Sequence, residues 1–258
     1  MTQGRMDGKV VVVTGAANGI GLSIAEVFVA EGAHVYLTDI DGAAAESAVE
    51  RLAAGEAGGS KACVTAVRVD VSKGQDVTHL FRTIEEAHGK IDALINNAGL
   101  NVREDFRHLT DADWVKIREV NLDGVVRMAR DGFSLLKASG DASLINISSI
   151  MGHRGLRQLV GYSATKGAVA ALTRGLAVEY APFNIRVNAI APGFVETALT
   201  DRFLRNPMVH KALVDRTLLK RFGTGEDIAK AALFLASSDA AYITGTEISV
   251  DGGMSAGL

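Results

Sequence analysis

Tyr162 and Lys166 stand four residues apart in Gly161-Tyr162-Ser163-Ala164-Thr165-Lys166. On a helix that spacing brings a phenol and an ammonium to one face, one turn apart. An unperturbed tyrosine ionises near pH ~10, and a cation a few ångströms away favours the phenolate and lowers that value. The pair would then be an acid/base tunable toward neutral pH. Val169, Leu172 or Thr173, Leu176 and Tyr180 continue the same stripe, so the pair sits at the edge of a buried helix face, an unusual place for lysine. Two exposed side chains four apart would give the same spacing, and the pattern alone leaves both readings open.

A second group of residues suits an anion. The run Val10-Val11-Val12-Val13 leads into Thr14-Gly15-Ala16-Ala17-Asn18-Gly19-Ile20-Gly21, and an amphipathic segment follows over 22–31. Strand, glycine loop and helix start in this order aim free amides and a helix dipole at a phosphate, and the absent Cβ atoms let a pyrophosphate approach. The spacing is G-x-x-x-G-x-G, not the commoner G-x-G-x-x-G. Asp39 lies eighteen residues beyond Gly21, where a carboxylate would accept hydrogen bonds from an adenosine ribose. It would also repel a 2′-phosphate, and no Arg or Lys stands at Asn18, Thr38 or Ile40 to hold one, so NAD is favoured over NADP. Capping a following helix is the other reading of Asp39, but Asp41, directly before Gly42-Ala43-Ala44-Ala45, is better placed for it.

The elements that must position these groups are legible as apolar runs. The continuous β-branched run at 10–13 reads as a strand buried on both faces of a parallel sheet. Further strands are expected over 34–38, 64–69 (ending in Asp70-Val71), 91–95 (ending in Asn96-Asn97-Ala98-Gly99), 143–147 (ending in Ser148-Ser149) and 185–190 (ending in Pro192-Gly193). Helices are expected over 111–137 and 162–180. Ligands of open parallel sheets bind outside the carboxyl ends of the strands, so these polar and small termini would converge on one crevice. In the helix over 111–137, Asn121 shares a face with Trp114, Ile117, Val125 and Met128, and a buried amide there needs partners.

Bulk properties narrow the class. At 258 residues the chain can bury roughly three quarters of its unfolded surface. A net charge of −3 gives no field for nucleic acid. The one cysteine, Cys63, has no internal partner for a disulfide; its apolar neighbours suggest a buried thiol and a reducing compartment. The polar start has no signal-peptide core, and no apolar run approaches the ~18 residues of a membrane span, so a cytoplasmic protein with no membrane partner is expected. The Ala/Gly-rich patch over 53–60 reads as a surface connection, and no metal-ligand cluster stands out.

Together these segments resemble the short-chain dehydrogenases/reductases. Thr14-Gly15-x-x-x-Gly19-x-Gly21, Asn96-Asn97-Ala98-Gly99, Asn121, Ser149, Tyr162-x-x-x-Lys166 and Pro192-Gly193 occur in the family's order and at its intervals, across nearly the whole chain. The twelve residues between Ser149 and Tyr162 single out Ser149 over Ser148 as the family's serine. The resemblance implies an α/β, Rossmann-like, doubly wound seven-stranded parallel sheet in three layers and one domain, with a last strand over 244–250 and strand order 3-2-1-4-5-6-7. It implies hydride exchange with nicotinamide, with Tyr162 as proton donor and acceptor and Ser149 orienting the substrate oxygen. It further implies that Lys166 binds the nicotinamide ribose and lowers the Tyr162 pKa, and that Asn121 holds a relay water. Asp70 and Val71 would lie near the adenine, Asn97 near the adenosine ribose or in strand packing, and Ile20 near the pyrophosphate. Val195 and Thr197 would lie near the carboxamide, while Gly15, Asn18, Gly19, Gly21, Asp39, Ala98, Gly99, Pro192 and Gly193 complete the cofactor set. Enoyl reductases of this fold space Tyr and Lys more widely, and extended epimerases differ in length and glycine spacing.

The substrate is less legible. The region 194–222 resembles the family's substrate loop and offers Phe194, Leu199, Phe203, Leu204, Met208 and Leu213, with Val102, Met151, His153 and Leu156 as further candidate walls. These would suit a hydrophobic secondary alcohol or ketone, or simply pack a helix on its own domain. The expected activity is NAD-dependent alcohol oxidation or ketone reduction. A 3-oxoacyl-thioester reductase and a non-catalytic NAD-binding regulator are the alternatives. A homotetramer or dimer is expected by resemblance, with Gly167, Ala168, Ala171, Gly175 and Ala177 allowing close helix approach.

Overall fold

The computed structural model describes residues 4–54, 63–197 and 207–257. Seven parallel strands form one sheet: β1 (Val10–Thr14), β2 (His34–Asp39), β3 (Val64–Arg68), β4 (Ala93–Asn96), β5 (Ala142–Ile147), β6 (Ile185–Pro192) and β7 (Glu247–Val250). Their spatial order is β3-β2-β1-β4-β5-β6-β7, the order that the family resemblance implies. β1 is buried along its whole length, as a β-branched run with helices over both faces must be. Its side chains alternate between two cores: Val11 and Val13 enter the cluster with Ile24, Phe28 and Ile228, Val10 and Val12 the one with Leu80, Ile84 and Leu136.

The helices on one face are α1 (Gly19–Ala30), α2 (Gly42–Ala54) and the late helix Gly225–Ala236; α3 (Gly74–His88) and the segments after β4 cover the other. Asp92, just before β4, is sealed among four donors. Its carboxylate accepts from Val10 N (2.8 Å), Ser139 Oγ (2.7 Å), Lys9 and Lys90, tying three neighbouring segments together. Burial pushes this carboxyl up, but the four donors outweigh it and hold it below its ordinary value.

Two expectations need correction. The single helix over 111–137 is three: α4 (Asp111–Arg118), α5 (Gly124–Asp131) and α6 (Phe133–Ser139), with the π turn Glu119–Asp123 between the first two. Asn121 lies within that π turn and is buried, on the inward side that the spacing implies. Cys63 is exposed rather than buried, because β3 begins one residue later. Of the two alternatives for the stripe on α7 (Val160–Tyr180), Thr173 is the buried one and Leu172 is half-buried. Leu199, Phe203, Leu204 and most of 53–60 lie outside the described residues. No helix among the described residues is long and apolar enough to cross a membrane.

Candidate active site

The C-terminal ends of the strands open into a crevice of about 480 Å³. Gly15, Asn18, Gly19, Ile20, Asp39, Asp70, Val71, Asn97, Ala98, Gly99, Ser149, Tyr162, Lys166, Pro192, Gly193, Val195 and Thr197 all line it. Gly21 does not. It lies beneath the loop, where a Cβ would stand 2.3 Å from Gly15 O and 2.5 Å from Asn97 Nδ2, so its lack of a side chain serves loop packing. Asn121 is also set back, 0% exposed, behind Leu100.

The loop's shape follows from its anchors. Thr14 Oγ1 accepts from the amides of Asn97 and Ala98, both at 3.0 Å, while Asn97 Nδ2 donates to Thr14 O and Gly15 O, both at 2.9 Å. The side chain of Asn97 therefore splices β1 to β4, the packing alternative raised for it. Asp39 Oδ2 accepts from Ala17 N and Oδ1 from Asp41 N, each at 3.1 Å. Asp41 Oδ1 accepts from Ala44 N at 3.0 Å, so it does the capping and leaves Asp39 to the crevice. Asn18 precedes α1 without a side-chain capping bond, and the first turn of α1 has no acidic residue. The positive end of that helix dipole is left for an anion.

Ser149 and Ser148 separate cleanly. Ser148 Oγ donates to Lys166 O (3.2 Å). Ser149 caps a short turn, accepting from Met151 N at 3.1 Å, and hydrogen-bonds the Tyr162 phenol. Lys166 is 4% exposed, and its ammonium donates to Ile147 O at 2.6 Å and stands 5.7 Å from the centre of the Tyr162 ring. Burial holds the Lys166 ammonium down at about 8. Burial also pushes the Tyr162 phenol above its ordinary value, and the Ser149 bond offsets part of that. The lowering expected from Lys166 is not the dominant influence here, since desolvation of the phenol outweighs the attraction of an ammonium directed at a backbone carbonyl.

Asn121 is fully occupied. Its Oδ1 accepts from Leu100 N (2.8 Å), and its Nδ2 donates to Leu100 O (2.9 Å) and to Thr165 Oγ1 (3.3 Å). Thr165 Oγ1 in turn donates to Tyr162 O at 2.8 Å. Asn121 thus clamps the segment after β4 to the catalytic helix.

Ile40, Val69, Leu100, Val120 and Ile147 also line the crevice but were given no site role in the sequence reading; Ser148, which was placed at the strand end and passed over for Ser149, lines it too. Each neighbours a residue that was identified, and the Ile147 carbonyl that Lys166 meets is a group no side-chain pattern encodes. Val102, Met151 and Leu156 do not line this crevice, and His153 is engaged with Glu247 on β7. Phe194, Leu213, Phe222 and Met254 form a small cluster of their own, so Leu213 packs within the domain, and Met208 is exposed.

A glycine loop at a helix start, a carboxylate at the end of the second strand, a Ser just past the fifth, and a Tyr and Lys on α7 define a dinucleotide-dependent oxidoreductase of the doubly wound class. A family model described as enoyl-(acyl carrier protein) reductase matches residues 15–255, and the chain belongs to the short-chain dehydrogenase/reductase family. It is 36% identical over 253 residues to cyclopentanol dehydrogenase of Comamonas, covering 98% of this chain and 99% of that one. It is 34% identical over 250 residues to a 3-oxoacyl-(acyl-carrier-protein) reductase of Thermotoga maritima, covering 97% and 99%. The crystal structure of a gluconate 5-dehydrogenase from Burkholderia cenocepacia in complex with NADP and tartrate superposes with a TM-score of 0.92 at 31% identity, covering 98% of both chains.

Proposed function

We propose that this oxidoreductase uses NAD in preference to NADP to interconvert a secondary alcohol and a ketone on a hydrophobic substrate. The observation that carries the reading is that Ser149, Tyr162 and Lys166 share one crevice with Asp39 and the glycine loop. The residues present fit a nicotinamide dinucleotide. The start of α1 carries no competing acid, and Gly99 leaves Lys166 approachable, since a Cβ there would be 3.7 Å from Nζ. When bound, the nicotinamide supplies the hydride chemistry. Tyr162 passes a proton to or from the substrate oxygen, which Ser149 orients; a positioned acid/base of this kind contributes about 10²–10⁴-fold. Lys166 holds the nicotinamide ribose and, with Asn121 and a water, relays the proton to solvent. Asp70 and Val71 take the adenine end, with Val195, Thr197, Pro192 and Gly193 at the nicotinamide end.

Cofactor preference rests on Asp39. Its carboxylate borders the crevice beside Ile40, so a 2′-phosphate there would meet a negative charge and an apolar side chain. Substrate choice rests on the region 194–222. A second reading, reduction of a 3-oxoacyl thioester, is favoured by the near full-length match to the Thermotoga maritima reductase.

Hydrophobic secondary alcohols are screened with NAD and NADP by following reduced nicotinamide, with Tyr162→Phe as the blank, and an acetoacetyl thioester is run beside them. NAD-dependent turnover that vanishes in the blank is expected. Equal turnover with NADP would overturn the Asp39 reading, turnover of the thioester alone would move the substrate to the second reading, and NAD binding without turnover in either arm would point to a non-catalytic regulator.

We also infer self-association as a homotetramer. Ala164, Ala171, Gly175 and Val178 form an outward stripe on α7, and Val178 is 78% exposed.

A further inference from the structure

We infer that Thr173 and Asn146 are positioning residues for Lys166, fixing the register of α7 over β5 so that the Ile147 carbonyl meets the lysine side chain. The inference rests on the proposed role of Lys166 and concerns residues that line no part of the crevice.

Two side-chain bonds join α7 to neighbouring residues of β5. Lys166 Nζ donates to Ile147 O at 2.6 Å, and Asn146 Nδ2 donates to Thr173 Oγ1 at 2.9 Å. Lys166 and Thr173 are seven residues apart, two helical turns, and so share a face. Ser148 Oγ adds a bond to the backbone of Lys166 itself. The second attachment admits one orientation. Thr173 Oγ1 donates its only proton to Val169 O at 2.9 Å, so it can meet Asn146 only as an acceptor. Asn146 Oδ1 is taken by Asn96 Nδ2 at 2.9 Å across the β4–β5 ladder, where the two asparagines are in register.

All three side chains are sealed, with exposures of 3% for Asn96, 0% for Asn146 and 1% for Thr173. Buried amides and hydroxyls are costly unless bonded, and such networks specify one arrangement where an apolar set would admit several. If Thr173 loses its hydroxyl, Asn146 loses its acceptor and the helix is free to slide or turn over the strand. The reach of Lys166 to Ile147 O then changes although neither residue is altered. The titratable groups that share the crevice with Lys166 are Tyr162 on its own helix, Asp39 at the end of β2 and Asp70 beyond β3.

The test compares Thr173→Val with Thr173→Ser in the full chain, with thermal unfolding as a check of folding. Two readouts are taken: turnover, and the pH dependence of acylation at Lys166 followed by mass spectrometry, which needs no activity. For Thr173→Val we expect kcat to fall by about 10- to 10²-fold, the scale of a misplacement near 1 Å, with a smaller change in the KM for dinucleotide. The labelling midpoint should fall below about 8, because the Ile147 carbonyl favours the ammonium and its loss leaves only the burial that lowers the value. Thr173→Ser, which keeps the hydroxyl, should restore both. A folded Thr173→Val with wild-type kcat and labelling overturns the proposal. If it does not fold, Thr173→Cys, which lacks the methyl and offers only a weakly accepting sulfur, decides by the same comparison. A shifted labelling midpoint in an enzyme whose turnover survives Tyr162→Phe would overturn the catalytic reading and leave the positioning intact.

Discussion

Lys166 is a buried cation, hydrogen-bonded to the Ile147 carbonyl. Because burial depresses its value to about 8, the folded protein binds fewer protons than the unfolded chain between that pH and the ordinary lysine value. Stability therefore rises as pH climbs through that window, and the cost of the buried charge is fully present below it. Lys166→Met should abolish turnover while stabilising the fold at pH 7 by about 1–3 kcal/mol, read as a higher melting temperature; a lower one would show that the ammonium contributes more than it costs. In the proposed alcohol oxidation the phenolate would be the base, and Ser149 pulls the phenol down. Ser149→Ala should move the rising limb of kcat/KM to higher pH, beyond its effect on the maximum, and an unmoved limb would count against that bond. The identity and spacing of Ser149, Tyr162 and Lys166 were legible in the sequence. The balance of their pKa shifts was not, because desolvation is set by neighbours from β5, the segment after β4 and the helix itself.

Among the elements, the π turn matters most to the site. Apolar spacing through 111–137 is continuous, so nothing in it marks where one residue too many enters; tertiary bonds from Asn121 to Leu100 and Thr165 hold the bulge in place. Just past it, Gly124 lies against the crevice wall, and a Cβ there would meet Val71 Cγ2 at 2.8 Å. Arg127 also reaches back to Val71 O at 3.3 Å. Gly124→Ala should push Val71 into the adenine end, raising the KM for dinucleotide several-fold with kcat little changed; an unaltered KM would separate the π turn from cofactor binding. At the N-terminal end of the strands, Asp92→Ala should cost on the order of 2–3 kcal/mol, since Val10 N loses its acceptor and two lysines their partner. As its carboxyl lies below the ordinary value, that contribution is present above about pH 4 and is lost as pH falls further. Chemical denaturation of wild type and variant at pH 7 and pH 3 should show the gap narrowing on acidification.

Across the whole molecule, strand order and the rim that carries the site were readable because each strand ends in polar or small residues, from Asp39 on β2 to Pro192 on β6. Less readable was the outer surface, where the small residues of α7 divide: Ala177 turns inward and Ala171 and Gly175 face out, a split that periodicity alone did not assign. If that outer stripe is the contact between subunits, Val178→Glu should lower the particle mass in light scattering, and a wild-type monomer at micromolar concentration would remove the assembly altogether. One carboxylate also bears on how such a molecule can change over generations. Asp39 borders the cofactor crevice and at the same time fastens the amides of Ala17 and Asp41, so a lineage drifting toward the phosphorylated cofactor cannot discard it freely. The open route runs through a small uncharged acceptor at position 39 that keeps the loop tied, followed by a cation at position 40, and the reverse order leads through an ancestor whose arginine pairs with the wrong group.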